Sequence, residues 1–229
     1  MTTKTKITKM YDANYFSERD YIPHHLINVL EIIFKKNKIN TILEVGVGSG
    51  KLMKKLKEDG YAIKGIDISP IAAKLSGARV ASATKIPFAK DKFDCVLAIS
   101  IIEHLTEKDG RVFIKEANRV LKKNGILFIV TPNFSSPLRY IKKDKWFGYS
   151  DKTHVFFYTP NSLSKLLNKN KFVNINIAFK ITSSSMEWPL PRLFYNSPKI
   201  IKYLINFLLV STPLAYFRDS FWIEGQKPK

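Results

Sequence analysis

The stretch Thr41-Ile42-Leu43-Glu44-Val45-Gly46-Val47-Gly48-Ser49-Gly50 decides the fold. An apolar run of strand length breaks into glycines at alternate positions, and residues with helical period follow directly from Lys51. In a strand-to-helix turn, such glycines let the backbone approach a bound ligand with no Cβ in the way. The spacing is G-x-G-x-G, because Lys51 stands where the dinucleotide pattern G-x-G-x-x-G needs its third glycine. The G-K-[ST] ending of a phosphate-binding P-loop is also missing.

Two carboxylates narrow the ligand further. Glu44, two residues before Gly46, would suit the cationic methionine end of S-adenosylmethionine better than a pyrophosphate. Asp67, with Ile68 beside it, ends the next apolar run, Ala62 to Ile66. A carboxylate at the tip of a second strand can accept hydrogen bonds from both ribose hydroxyls. Loop, strand and acid in register predict an S-adenosylmethionine site.

Further apolar runs at Phe93 to Ile99 and Ile126 to Val130, with a weak one at Arg79 to Ala81, alternate with helical segments, as in a parallel sheet covered on both faces. Lys51 to Asp59 places Leu52, Met53 and Leu56 on one face and stops at Gly60. Thr106, with Asp109 three residues on, caps a helix that Asn124-Gly125 is expected to end. Pro23 opens an amphipathic helix, Thr159-Pro160 another, and Phe172 to Ile181 and Ser220 to Glu224 read as the last strands.

The region from about Thr41 to Asn133 resembles the class I S-adenosylmethionine-dependent methyltransferases, in particular the small-molecule branch of quinone-biosynthesis and glycan-tailoring enzymes. Ala81-Ser82-Ala83-Thr84-Lys85-Ile86-Pro87-Phe88 is similar to the family's G-D-A-x-x-L-P-F, so Ser82 and Ala83 would flank adenine, with Ser82 where the family usually has Asp. The run from Asp91 to Leu105 resembles the fourth-strand motif ending in E-H-L. It places Ser100 and Ile101 on the methionine side of the pocket, while Asp94, at the other end of that strand, reads as structural. Tyr11-Asp12-Ala13-Asn14-Tyr15-Phe16 resembles an aromatic stretch that folds over the cofactor, so Tyr15 would touch the cofactor carboxylate or pack in the core. The resemblance implies an α/β, Rossmann-like seven-stranded sheet flanked by helices, with an antiparallel last strand. It also implies a substrate-covering insertion after strand 5, from about Phe134 to Asn170.

Asp151-Lys152-Thr153-His154-Val155 resembles the family's D-P-T-H-V, with Lys152 replacing Pro. His154 would face the methyl group as general base or orienting group, or tie this loop to the sheet. His104 is the second catalytic candidate, with helix capping as its alternative. His24 and His25 read as solvated. Between strand 5 and His154, Arg139 to Tyr149 interleaves basic and aromatic residues; it would grip a phosphorylated acceptor or RNA, or form a lysine-rich surface lid. No residue is assigned to a metal.

The organisation expected is one domain, with an N-terminal helical cap (1–38), a cofactor-binding core (39–133) and acceptor-covering insertions with the last strands (134–229). A net charge of +19 favours anionic partners, or reflects a lysine-rich solvated surface. The lone Cys95 lies in an apolar run, which fits a reducing cytoplasmic compartment. Nothing near the N-terminus reads as a secretory signal. Ile200 to Val210 is apolar on nearly every side but shorter than a bilayer crossing, so it reads as a buried helix, a homodimer surface or an interfacial segment on an anionic membrane. The activity expected is methylation of an oxygen or nitrogen of a small metabolite or of a lipid- or nucleotide-linked acceptor. The alternatives are an RNA methyltransferase and a silent cofactor-binding partner subunit.

Overall fold

A computed structural model describes residues 22, 24–179, 198, 200–201 and 218–229 of the chain. The expectations for Tyr15, for the side chains of His24 and His25, and for most of the 200–210 segment lie outside them. Helix α1 (His24–Asn37) buries Leu26, Leu30, Ile33 and Phe34 along one stripe and ends on Lys35 and Lys36, which complement the helix dipole. The chain then runs through β1 (Thr41–Val45), α2 (Lys51–Glu58), β2 (Ala62–Asp67), α3 (Pro70–Ser76), β3 (Arg79–Val80) and β4 (Phe93–Ile99). A 3-10 turn (Ile102–His104) leads to α4 (Glu107–Val120) and β5 (Leu121–Pro132). Short helices α5 (Leu138–Lys142) and α6 (Phe147–Ser150) precede α7 (Pro160–Lys169), β6 (Val173–Ala178) and β7 (Ser220–Gln226).

The strands form one sheet in the order β3-β2-β1-β4-β5-β7-β6, parallel from β3 to β5, with β7 inserted antiparallel to both neighbours. This is the class I arrangement with its antiparallel last strand. The chain winds outward from β1 to β3 and returns to β4 on β1's other side. The carboxyl ends of β1 and β4 therefore splay apart into a crevice. Side chains alternate across the sheet: Leu43, Val45, Val96 and Ala98 join α4 and α7 in one core layer, while Ile42, Cys95 and Leu97 join α1 and α2 in the other. Leu97 is fully buried, and its truncation to alanine would cost about 2–5 kcal/mol.

At the amino end of β4, Asp94 accepts hydrogen bonds from Thr41 N (2.8 Å), Thr41 Oγ1 (2.8 Å) and Asn40 N (3.1 Å), and pairs with Lys122 at 2.8 Å. Burial alone would raise its carboxyl, but the Lys122 ammonium and the Thr41 and Asn40 donors outweigh it and hold it below the usual range. Asp94 thus fastens β1 to β4, far from the crevice, as its sequence position suggested.

Two local expectations need correction, and one helix is additional to them. Helix α4 starts as expected, with Thr106 Oγ1 accepting from Asp109 N at 3.1 Å, but ends at Val120 rather than at Asn124-Gly125. Leu121 already pairs with Phe93, and Asn124 (φ 62°) and Gly125 lie inside β5, where the register shifts from Phe93↔Leu121 to Cys95↔Ile126. Burial of Leu121 in the sheet outweighs the turn propensity of Asn-Gly. Helix α3 is the additional one: Ser69 caps it through Ala72 N, Pro70 opens it and Gly77 (φ 72°) closes it. The stretch from Arg139 to Tyr149 is not an open basic loop; α5, a 3-10 turn (Lys143–Lys145) and α6 occupy it.

Candidate active site

The glycine loop turns on left-handed residues, with φ of 76° at Gly46, 53° at Gly48 and 79° at Gly50. A Cβ on Gly46 would stand 1.9 Å from Ile101 Cδ1, so Ile101 roofs the loop and only glycine fits beneath it. Asp67 is almost fully buried and engages the loop directly, accepting from Gly48 N at 3.0 Å and from Ser69 N at 2.8 Å. Burial raises its carboxyl, and the donors Ser69, Gly48 and Ile68 counteract this. Each of its oxygens keeps a lone pair that could accept from a ribose hydroxyl.

Glu44 lies beneath the loop, buried, and its Oε2 has no hydrogen-bond partner. Burial first, and the nearby Asp67 second, push its carboxyl up to about 8. A buried carboxylate oxygen left unsatisfied is costly, and a cationic amino group would supply the missing partner. The residues present therefore fit the amino-acid end of S-adenosylmethionine. On the adenine side, the Ser82 hydroxyl lies 2.8 Å from Thr84 Oγ1 and accepts from Thr84 N at 3.2 Å, while Ala83 packs half-buried against the core. Ser82 thus shapes its own turn, a role the sequence did not suggest.

Beyond β4, Ser100 is half-buried and adopts φ 52°, redirecting the chain into the turn that carries Glu103 and His104. The Glu103 carbonyl accepts from Val155 N (2.9 Å) and Phe156 N (3.2 Å), docking the 153–156 segment beside the cofactor strand. That docking brings the rings of His104 and His154 to a centroid distance of 4.7 Å. His104 Nδ1 lies 3.2 Å from the Thr153 carbonyl and 2.9 Å from Thr153 Oγ1, which itself donates to Asp151 at 2.6 Å. His154 Nδ1 lies 2.6 Å from the Gly148 carbonyl. In both rings these acceptors assign the proton to Nδ1 and the basic lone pair to Nε2.

Asp151 orients this group. Burial would raise its carboxyl, but two hydrogen bonds from Thr153 and the neighbouring His154 and His104 outweigh that and hold it at about 2. Glu103 is the site residue that sequence reasoning missed. It is fully buried, with Oε2 accepting from Thr131 Oγ1 at 3.0 Å and Oε1 unpaired, and burial pushes its carboxyl up to about 8. Its adjacency to His104 was visible in the sequence; its burial was not. Glu103, His104 and His154 offer ligand atoms within 4.8 Å of one another, a carboxylate and two imidazoles that could hold a divalent ion, where the sequence assigned no metal residue.

An aromatic wall stands over the histidines. Phe157 stacks on Phe134 at 5.4 Å and meets Tyr149 edge-on at 5.5 Å, and Trp146 packs against Tyr149 at 4.8 Å. Trp146 is fully buried, and its indole N–H donates to Asp219 Oδ1 at 3.0 Å, while Lys142 pairs with Asp219 Oδ2. Arg139 stacks over Phe134 and Tyr140 at 4.3 and 4.0 Å. Lys142 and Trp146 are therefore committed to anchoring this segment rather than available to grip a phosphate.

A family model described as a methyltransferase domain matches residues 43–129. The chain is 32% identical over 195 residues to a ubiquinone biosynthesis O-methyltransferase of Pelagibacter ubique, covering 72% of this chain and 80% of the relative. It is 30% identical over 109 residues to a demethylmenaquinone methyltransferase of Tropheryma whipplei, 44% of each chain. The fold superposes on a SAM-dependent methyltransferase from Archaeoglobus fulgidus with a TM-score of 0.66 and 19% identity, over 94% of this chain and all of the other. With the glycine loop and Asp67 in place at the carboxyl edge of the sheet, these likenesses identify the chain as a member of the class I S-adenosylmethionine-dependent methyltransferases.

Proposed function

We propose that the chain methylates a hydroxyl or amine of a small aromatic metabolite, a quinone precursor by chemical class, with His154 accepting the proton. The observation that carries this reading is the pair of histidines, each with Nε2 as its basic atom, clamped beside the cofactor strand under an aromatic wall. Bound S-adenosylmethionine supplies an activated methyl carbon. Glu44 holds the cationic amino group, Asp67 and Ile68 the ribose, Ser82 and Ala83 the adenine, and Gly46, Gly48 and Gly50 give close backbone approach. Ser100 and Ile101 line the methionine side.

Phe134, Tyr149 and Phe157 shield a planar acceptor from water and orient it, which is most of what an in-line displacement requires. His154, its Nδ1–H fixed by Gly148, takes a hydroxyl proton on Nε2, and His104 positions the ring. The relatives named for ubiquinone and menaquinone methylation support a quinone-type acceptor. The test is transfer of labelled methyl from cofactor to a panel of catechols, phenols and amines, read by mass spectrometry. Label on a phenolic oxygen supports the reading; cofactor binding without label on any of them overturns it.

A second reading concerns where the acceptor is presented. Helix α5 exposes Tyr140 and Ile141, with Lys143 and Lys145 exposed just beyond. Apolar side chains ringed by cations suit peripheral contact with an anionic membrane and hence a lipid-linked acceptor. Among the described residues no helix is long and apolar enough to cross a membrane. Co-sedimentation with phosphatidylglycerol vesicles that is lost in the Tyr140→Ser/Ile141→Ser variant would support membrane contact; recovery in the supernatant with and without vesicles would overturn it.

A further inference from the structure

A cavity of about 810 Å³ lies between α2, the open edge of β2 and the segment 87–92, and reaches Ser49 and Gly50 of the glycine loop at one end. It exists because β3 pairs only with Ile66 and Asp67, so that among the described residues Ile63, Lys64 and Gly65 have no strand beside them on that side. Six cations line it, Lys51, Lys54, Lys57, Lys64, Arg79 and Lys92, and Asp and Glu are absent from the lining. Lys64, Arg79 and Lys92 converge on one aromatic ring, each 5.6 to 5.9 Å from the centre of Phe88. Among the described residues Lys57, Lys64 and Lys92 have no ion pair, and Lys54 has only a 4.0 Å approach from the exposed Glu58. Like charges gathered in a concave wall repel one another and focus a positive potential into the cavity.

We propose that this cavity is a second ligand site that takes a compact polyphosphate anion of two or three linked phosphates. On one wall, Lys51, Lys54 and Lys57 recur every three residues and span about 9 Å along α2 at 1.5 Å per residue. Lys64, Arg79 and Lys92, gathered around Phe88, line the same cavity. The row on α2 together with the cluster around Phe88 suits a chain of linked phosphates rather than a single one, and lysine ammoniums act as point charges that serve phosphate oxygens from many directions. The volume is that of one small-molecule ligand, and the concavity keeps a flat bilayer from reaching its floor.

The experiment is calorimetric titration with inorganic tripolyphosphate at fixed ionic strength. Wild type is compared with Lys57→Gln/Lys64→Gln/Lys92→Gln and with Lys108→Gln/Lys115→Gln/Lys165→Gln, which removes the same charge from exposed positions on α4 and α7. The cavity variant is expected to bind at least about tenfold more weakly and the control within about twofold, with orthophosphate about tenfold weaker than tripolyphosphate for wild type. Absence of tripolyphosphate binding, or equal losses in the two variants, would overturn the proposal. Cavity-dependent binding of a single-stranded RNA oligonucleotide without tripolyphosphate binding would also overturn it, in favour of a nucleic-acid surface. Cofactor binding by all three proteins is measured in parallel, so failure here is distinguishable from failure of the methyl-transfer reading.

Discussion

His104 and His154, fifty residues apart in the chain, meet edge to face 4.7 Å apart because the Glu103 carbonyl receives the backbone of Val155 and Phe156. If His154 is the base, His154→Asn, whose amide can still donate to the Gly148 carbonyl, lowers kcat by about 10²–10⁴-fold. Cofactor affinity measured by calorimetry stays unchanged. A fall in cofactor affinity with kcat intact would instead mark His154 as a tie between loop and sheet.

The Asp67 carboxylate holds the glycine loop through Gly48 and Ser69, and in the proposed reading it also presents lone pairs to a ribose. Asp67→Ala should weaken cofactor binding by about 1.5–3 kcal/mol through loss of charge-assisted hydrogen bonds. Adenosine, which shares the ribose, should lose a similar factor, whereas methionine should not; competition binding with both fragments reads the difference.

Glu44 is held at about 8 by burial and by Asp67, so at pH 7 it is largely protonated before a cation arrives. Binding a cationic amino group beneath the loop favours its carboxylate and expels a proton. Affinity therefore rises with pH toward 8, and the binding enthalpy at pH 7 depends on the ionisation heat of the buffer. Glu44→Gln removes the buffer dependence and costs about tenfold or more in affinity.

Glu103 should govern stability against pH. Its folded value, about 8, lies above its value in the unfolded chain, so between about pH 4.5 and 8 the native state binds the extra proton. Stability therefore falls as pH rises through that window. Glu103→Gln, which mimics the protonated acid, flattens this fall; denaturant midpoints at pH 5 and pH 8, taken in chelator, check it.

Gly148 has no room for a side chain, since a Cβ there would lie 1.9 Å from the Trp146 ring. Gly148→Ala displaces the indole, breaks its bond to Asp219 and should cost about 1–3 kcal/mol. The tryptophan emission shifts to the red, while cofactor affinity holds.

The cofactor half of the protein was legible in the sequence because its signals are local. One apolar run, three glycines and an acid in register define β1, the loop and β2, and Thr159-Pro160 starts α7 as expected, with Thr159 Oγ1 accepting from Ser162 N. Ser69-Pro70 with Gly77 is a local signal of the same quality for α3. The acceptor half was opaque because long-range contacts build it. Nothing near Glu103 announces that its carbonyl will receive Val155, and nothing near Trp146 announces a partner at Asp219. Asn124-Gly125 misled for the converse reason, since a strong turn dipeptide was absorbed by a strand already paired at Leu121.

The clasp at Asp219 has a consequence for how such an enzyme can diversify. One carboxylate at the head of the antiparallel strand receives both Lys142 and Trp146, so the aromatic wall is moored to β7 and not to the glycine loop. Under the proposed roles, the aromatic wall rests on the head of β7, while His154 rests on the Glu103 carbonyl beyond β4. A descendant of this chain can change its acceptor by rewriting the stretch that Asp219 moors, residues 138–149, with the cofactor loop and the histidine clamp untouched, as long as it keeps one acid at the entrance to its final strand.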